Sequence, residues 1–176
     1  MKKIILIGLI IFNSSLSIAQ NLNLTPNGVE SFIAEFKGTS QEDLYEKSLN
    51  WAKETYFSPN DVIKATIENE KIRLNGYSTP ILWYKMFGQE YMYRIKHTIT
   101  ISVKEERKKF DYEIEGFYTT ETYEKNAMVK EKLFKSNGTP NNGANYKNSV
   151  DRINNYLTQI SKEYIDYVNG SNEDDW

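Results

Sequence analysis

The stretch Tyr93-Arg94-Ile95-Lys96-His97-Thr98-Ile99-Thr100-Ile101-Ser102-Val103-Lys104 decides how this chain folds. Tyr93, Ile95, His97, Ile99, Ile101 and Val103 fall on one parity and Arg94, Lys96, Thr98, Thr100, Ser102 and Lys104 on the other. Successive side chains of a strand point to opposite faces, so this is a strand with one buried and one wet face, as in an antiparallel sheet. A polar turn at Glu105-Glu106-Arg107 follows, and then Phe110, Tyr112 and Ile114 alternate with Asp111, Glu113 and Glu115. Two such runs joined by a short turn predict a hairpin.

Working back toward the N-terminus, Ile63, Ala65 and Ile67 alternate with Lys64, Thr66 and Glu68. A tight turn at Asn69-Glu70 leads to Ile72 and Leu74, again in alternation. Before them, Ser40-Gln41-Glu42-Asp43 has the form of a capping box, and Tyr45, Leu49, Ala52 and Tyr56 recur at helical spacing, with Leu44 and Trp51 widening the stripe. Ser58-Pro59-Asn60 ends that helix, because the residue before proline avoids the α region. Phe32, Ala34 and Phe36 read as a first strand, stopped by Gly38. At the other end Tyr146, Val150, Ile153, Leu157, Ile160, Tyr164 and Val168 form an amphipathic stripe, with Gly170 placed to cap it. The expected fold class is therefore α+β. Its order is strand, helix, four strands, helix, with two helices packed on one face of an antiparallel sheet.

The chain begins Met1-Lys2-Lys3, followed by the apolar run from Ile4 to Phe12 and small or polar residues to Ala19. This is the pattern of a signal peptide cleaved after Ala19, and it predicts a periplasmic or extracellular protein of bacterial type. The run is about half the roughly 20 residues that a membrane-spanning helix needs. With Cys 0, no lipid anchor, disulfide or thiolate metal site is expected. Cleavage would remove Lys2 and Lys3 but no acid, moving the formal charge from -2 to -4. A net acidic chain is not expected to bind nucleic acid. The expected organisation is a signal peptide at 1–19, a flexible leader at 20–28, one domain at 29–170 and an acidic tail at 171–176. Within the domain, 119–145 reads as an irregular connection in which 127–134 is compatible with helix or strand.

These elements resemble the secreted bacterial domain of unknown function 4468 family, in Leu44-Tyr45, Trp51, Asp61-Val62-Ile63, Ile72 with Gly76, and Tyr93 leading to Val103-Lys104. The resemblance covers roughly Phe32 to Phe117 and implies a TATA-binding-protein-like fold. It implies no activity, because the shared positions are core and turn residues and the family has no established catalytic residues. It also implies a glycine in the turn after Val103-Lys104, where this chain has Glu105-Glu106-Arg107-Lys108.

Candidate chemistry is sparse. His97 is the only histidine and shares the parity of Ile95 and Ile99, so a buried imidazole bonded to a tyrosine hydroxyl or a carbonyl is expected. Asp111, Glu113 and Glu115 repeat at about 7 Å along one strand face. That spacing suits a glycosidase pair or a calcium site, but cross-strand pairing such as Lys96 with Glu115 explains it without a ligand. The segment from Ile81 to Tyr93 is apolar on both parities, which marks Trp83, Tyr84, Phe87 and Tyr91 as a candidate patch for a protein or glycan partner. No catalytic residue, metal ligand or cofactor is expected. The function read from the sequence is a non-catalytic binding or assembly module, with an exported acidic-residue hydrolase acting on glycans as the alternative.

Overall fold

The computed structural model describes residues 21–86, 89–119, 126–128, 132–143 and 146–170, without the side chains of 84–90 and 126–128. The expected signal peptide, the acidic tail and Phe87 lie outside these residues, as does most of the 119–131 connection. The elements are β1 (Asn23–Thr25), β2 (Gly28–Glu30), β3 (Phe32–Glu35), α1 (Gln41–Thr55), α2 (Pro59–Val62), β4 (Ile63–Ile67) and β5 (Lys71–Tyr77). They continue through β6 (Leu82–Met86), β7 (Gln89–Lys104), β8 (Arg107–Thr119), β9 (Asn126–Met128) and α3 (Ser149–Val168). The protein is α+β, with a main antiparallel sheet in the order β3-β8-β7-β5-β4. β6 adds to the start of β7 and β9 to the end of β8.

Both long helices lie on one face of this sheet. The α1 side chains Leu44, Trp51 and Ala52 and the α3 side chains Ile153, Leu157, Ile160 and Tyr164 are buried with Ile95, Ile99, Ile101, Phe110 and Tyr112 of β7 and β8. α1 starts where the capping pattern placed it: the Ser40 hydroxyl accepts from the Asp43 N–H at 3.1 Å. It ends at Thr55, and Pro59 opens the short α2, where a missing N–H costs nothing. α3 ends at Val168, and Gly170 takes a left-handed φ of 73° beyond it.

Four local features depart from the sequence reading or refine it. The expected flexible leader is folded from residue 21 onward. β1 and β2 form a small hairpin whose Leu22 and Leu24 are buried, and the Leu24 N–H donates to Asn154 Oδ1 of α3 at 2.8 Å. β4 is not half-buried. Ile63 is partly covered and the rest of the strand is exposed, because β4 is the outermost strand of the path and extends past the helices. In β8 a bulge at Glu115 lets Lys96 pair with Gly116 and His97 with Ile114, so the inward parity changes from Ile114 to Phe117. In the connection, Asn126–Met128 is a strand rather than a helix and pairs with β8.

The turn after Lys104 closes with only Glu105 and Glu106 between the paired residues Lys104 and Arg107. Glu106 stands in the left-handed region at φ 56°, a conformation that usually favours glycine. Its carbonyl accepts from Phe36 N at 2.7 Å and its carboxylate from Gly38 N at 2.8 Å, contacts that offset the strain and that glycine would only half supply.

Candidate functional site

His97 is buried, as its parity required. Its Nε2 shares a 2.9 Å hydrogen bond with the Tyr56 hydroxyl, and its ring lies 4.9 Å from that of Tyr112. Burial pushes its pKa down to about 4, so the imidazole is neutral at physiological pH. Enclosed under the helix layer, it has no route to a substrate.

The acidic row stands on the open face of the sheet, and two of its three members are paired. Lys109 bridges Asp111 at 2.6 Å, and Lys96 lies 3.6 Å from Glu115, the cross-strand pair expected from the sequence. Thr98 also donates to Glu115 at 2.5 Å. The three carboxylates lie along a strand and do not converge in a cleft. Among the described residues, no group of three or more His, Asp or Glu side chains is placed to hold a metal ion.

The candidate patch divides. Trp83 pairs in register with Met92, and the two are 50% and 44% exposed, on the opposite parity to the buried Leu82–Tyr93 pair. The Arg152 guanidinium of α3 lies 4.8 Å from the Trp83 ring centre. Tyr91 packs instead against the core, and it pairs in register with Tyr84. Next to Trp83 and Met92, Arg94 lies 4.2 Å over the Tyr77 ring, Tyr77 meets Tyr118 edge-on at 6.0 Å, and Lys96 lies 5.8 Å over Tyr118. Tyr77, Arg94, Lys96 and Tyr118 thus form a band of aromatic rings and cations running across β5, β7 and β8.

One arrangement escaped the sequence reading. Lys108 is buried, at 1% exposure, with its ammonium nitrogen 2.8 Å from Ser48 Oγ and within 5.3 Å of the Phe36 and Tyr164 rings. Ser48 spends its one proton on the Leu44 carbonyl at 2.8 Å, so the Tyr164 hydroxyl, 2.9 Å away, donates to it. Burial, aided by the nearby charge of Lys47, pushes the Lys108 pKa down to about 6. A serine beside a neutral lysine has the makings of a nucleophile and base, but both side chains are sealed in the core and no substrate reaches them. The signal was present in the sequence: Lys108 shares the inward parity of Phe110, Tyr112 and Ile114.

Residues 33–120 match the family described as "Domain of unknown function (DUF4468) with TBP-like fold". The chain belongs to this family. No curated protein matches it. Among solved structures, the chain is similar to a DUF4468 family protein from Bacteroides ovatus at 16% identity and a TM-score of 0.56, covering 85% of this chain and 89% of the other. It is also similar to a TBP-like protein from Parabacteroides distasonis at 12% identity and a TM-score of 0.57, covering 80% and 91%. At these identities the likeness establishes the fold alone. The DUF4468 match runs from β3 to the end of β8; the β1–β2 hairpin and α3 lie outside it.

Proposed function

We propose that this DUF4468 protein is an exported, non-catalytic binding module that recognises a protein or glycan partner outside the cytoplasm. The recognition surface is the end of the sheet where β6 meets β7, with Trp83, joined by Met92, as its candidate residue. The observation that carries this reading is the half-exposed Trp83–Met92 pair, two large apolar side chains side by side on neighbouring strands. Large apolar side chains held outward on a strand pair supply the buried area that dominates contact energies. The only histidine is sealed away, and two of the three carboxylates of the row are paired with lysines and none converge in a cleft, so neither favours a hydrolase. Nucleic acid is not the proposed partner, since the chain is net acidic.

The test is crosslinking in cells, comparing the wild type with a Trp83→Ser/Met92→Ser double variant. A discrete crosslinked partner that disappears with the double variant, at equal export and equal melting temperature, supports the module. An undiminished partner would move recognition elsewhere on the molecule, and glycan hydrolysis abolished by Glu113→Gln would replace binding with catalysis. Mass spectrometry of the secreted protein checks the export arm, which requires a mature N-terminus at Gln20.

A further inference from the structure

The main sheet path ends at β4, and among the described residues no strand pairs with its outer edge. Where the chain turns back into β5, the Glu70 N–H donates to the Ile67 carbonyl at 3.0 Å, so the backbone groups of Ile67 point toward β5. Successive residues of an antiparallel strand direct their N–H and C=O to alternate edges, and Thr66 therefore presents both to the outside. Thr66 pairs with the buried Ile72 and lies on the helix-bearing face, while Ala65 and Ile67 pair with Arg73 and Lys71 on the open face. Lys64, Ala65, Thr66, Ile67 and Glu68 are all exposed, Ile67 at 52%.

This edge is complementary to itself. Antiparallel pairing of two copies with Thr66 on the two-fold axis sets Lys64 of each copy against Glu68 of the other, Ala65 against Ile67, and Thr66 against Thr66. The ion pair forms twice, the exposed Ile67 gains an apolar neighbour, and opposed threonines are a favourable cross-strand pair. Residues 61–73 hold Asp61, Glu68 and Glu70 against Lys64, Lys71 and Arg73, so this segment opposes its own copy with no net charge. An edge lysine discourages any strand that places no carboxylate opposite it, which favours this partner over others.

We propose that β4 is the edge through which two copies of this chain associate, joining their sheets about a two-fold axis at Thr66. An isologous contact of this kind closes at a dimer. The contact is one strand deep, and the register shift between Ile63 and Ala65 shortens its regular part, so the dimer is weak and forms with rising concentration. It does not depend on the Trp83 surface.

The test is sedimentation velocity of the purified protein from micromolar concentration upward, where a reversible monomer–dimer exchange is expected. Lys64→Glu alone opposes two carboxylates at both ends of the contact and should weaken the dimer roughly tenfold. Glu68→Lys alone opposes two ammonium groups and should do the same. Combined in one chain, the two reversals put opposite charges together again and should restore the dimer. Thr66→Pro, tolerated on an outer edge whose N–H faces solvent, removes the two central hydrogen bonds and should leave a monomer. Thermal melting confirms that each variant is folded, and the charge reversals decide the matter if Thr66→Pro melts early. A monomer at every concentration, a dimer indifferent to the single reversals, or a double reversal that stays monomeric would overturn the proposal, as would assemblies larger than a dimer.

Discussion

Lys108 is a costly side chain to bury. Its folded pKa of about 6 lies far below the ordinary lysine value near 10.4, so the folded state excludes a proton that the unfolded chain binds. Stability should therefore rise with pH across the window from about 6 to about 10, with a slope approaching 1.4 kcal/mol per unit from this group. Below pH 6 both states are protonated and the full cost is present. Lys108→Met leaves the Ser48 hydroxyl satisfied by Leu44 and Tyr164, and methionine follows the same path through the core. Denaturant titrations at pH 7 should find this variant more stable by on the order of 1–3 kcal/mol, with a flattened pH slope. An unchanged slope would show that the amine titrates normally. His97 acts in the acid range. Its folded pKa of about 4 lies below the ordinary 6.5, so stability falls as pH drops from 6.5 toward 4 while only the unfolded chain takes up the proton. His97→Gln, able to keep a bond to Tyr56, should lose this share of acid sensitivity, measured as a shallower fall in melting temperature over that window.

Elements meet closely at Gly76. On this β5 residue a Cβ would lie 2.9 Å from Tyr56 Cε1 and 3.2 Å from His97 Nε2, so the absent side chain is what lets the Tyr56–His97 bond sit on the sheet. Gly76→Ala should displace the Tyr56 ring and cost roughly 1–3 kcal/mol. The checks are the denaturation midpoint and loss of the Tyr56 hydroxyl–imidazole contact by NMR. A stability equal to wild type would mean that the end of α1 yields easily. The position was visible in the sequence as a glycine inside an alternating strand, but the ring that requires it was not. Tyr56 reaches it from beyond the last turn of α1, and a helix-to-sheet contact leaves no local pattern. β4 teaches the converse: its alternation was clear, but alternation names two faces without saying whether anything covers either.

At the scale of the molecule, the β1–β2 hairpin secures α3 to the rest of the fold. Leu22 and Leu24 are buried, and their N–H groups bond to Ser161 Oγ and Asn154 Oδ1. Leu24→Ala should cost about 2–4 kcal/mol. Removing residues 21–30 should expose the outer apolar stripe of α3 and produce aggregation on heating, followed by light scattering. A truncated protein that melts like the full one would make the hairpin dispensable. The same long-range packing explains why these residues read as a leader. Two three-residue strands around Pro26-Asn27-Gly28 carry too short a pattern to be recognised apart from the helix they cover.

The α+β class, the antiparallel hairpins, the capped first helix and the burial of His97 were all legible in the chain. Each depends on spacing between near neighbours, and periodicity records which face of an element is apolar. The Lys96–Glu115 pair belongs with them, since parity puts both on the wet face. Only the tertiary structure decided what lies opposite what. It sealed Lys108 between two helices and turned Trp83 outward while Tyr91 packed inward. It also gathered Lys71, Arg73, Lys104, Arg107 and Lys109, spread over nearly forty positions of sequence, onto one sheet face among carboxylates such as Glu35 and Asp111. Charge and exposure on a sheet depend on strand order and on which edge the helices leave bare. Those are set by packing between distant segments, which composition and local spacing do not encode.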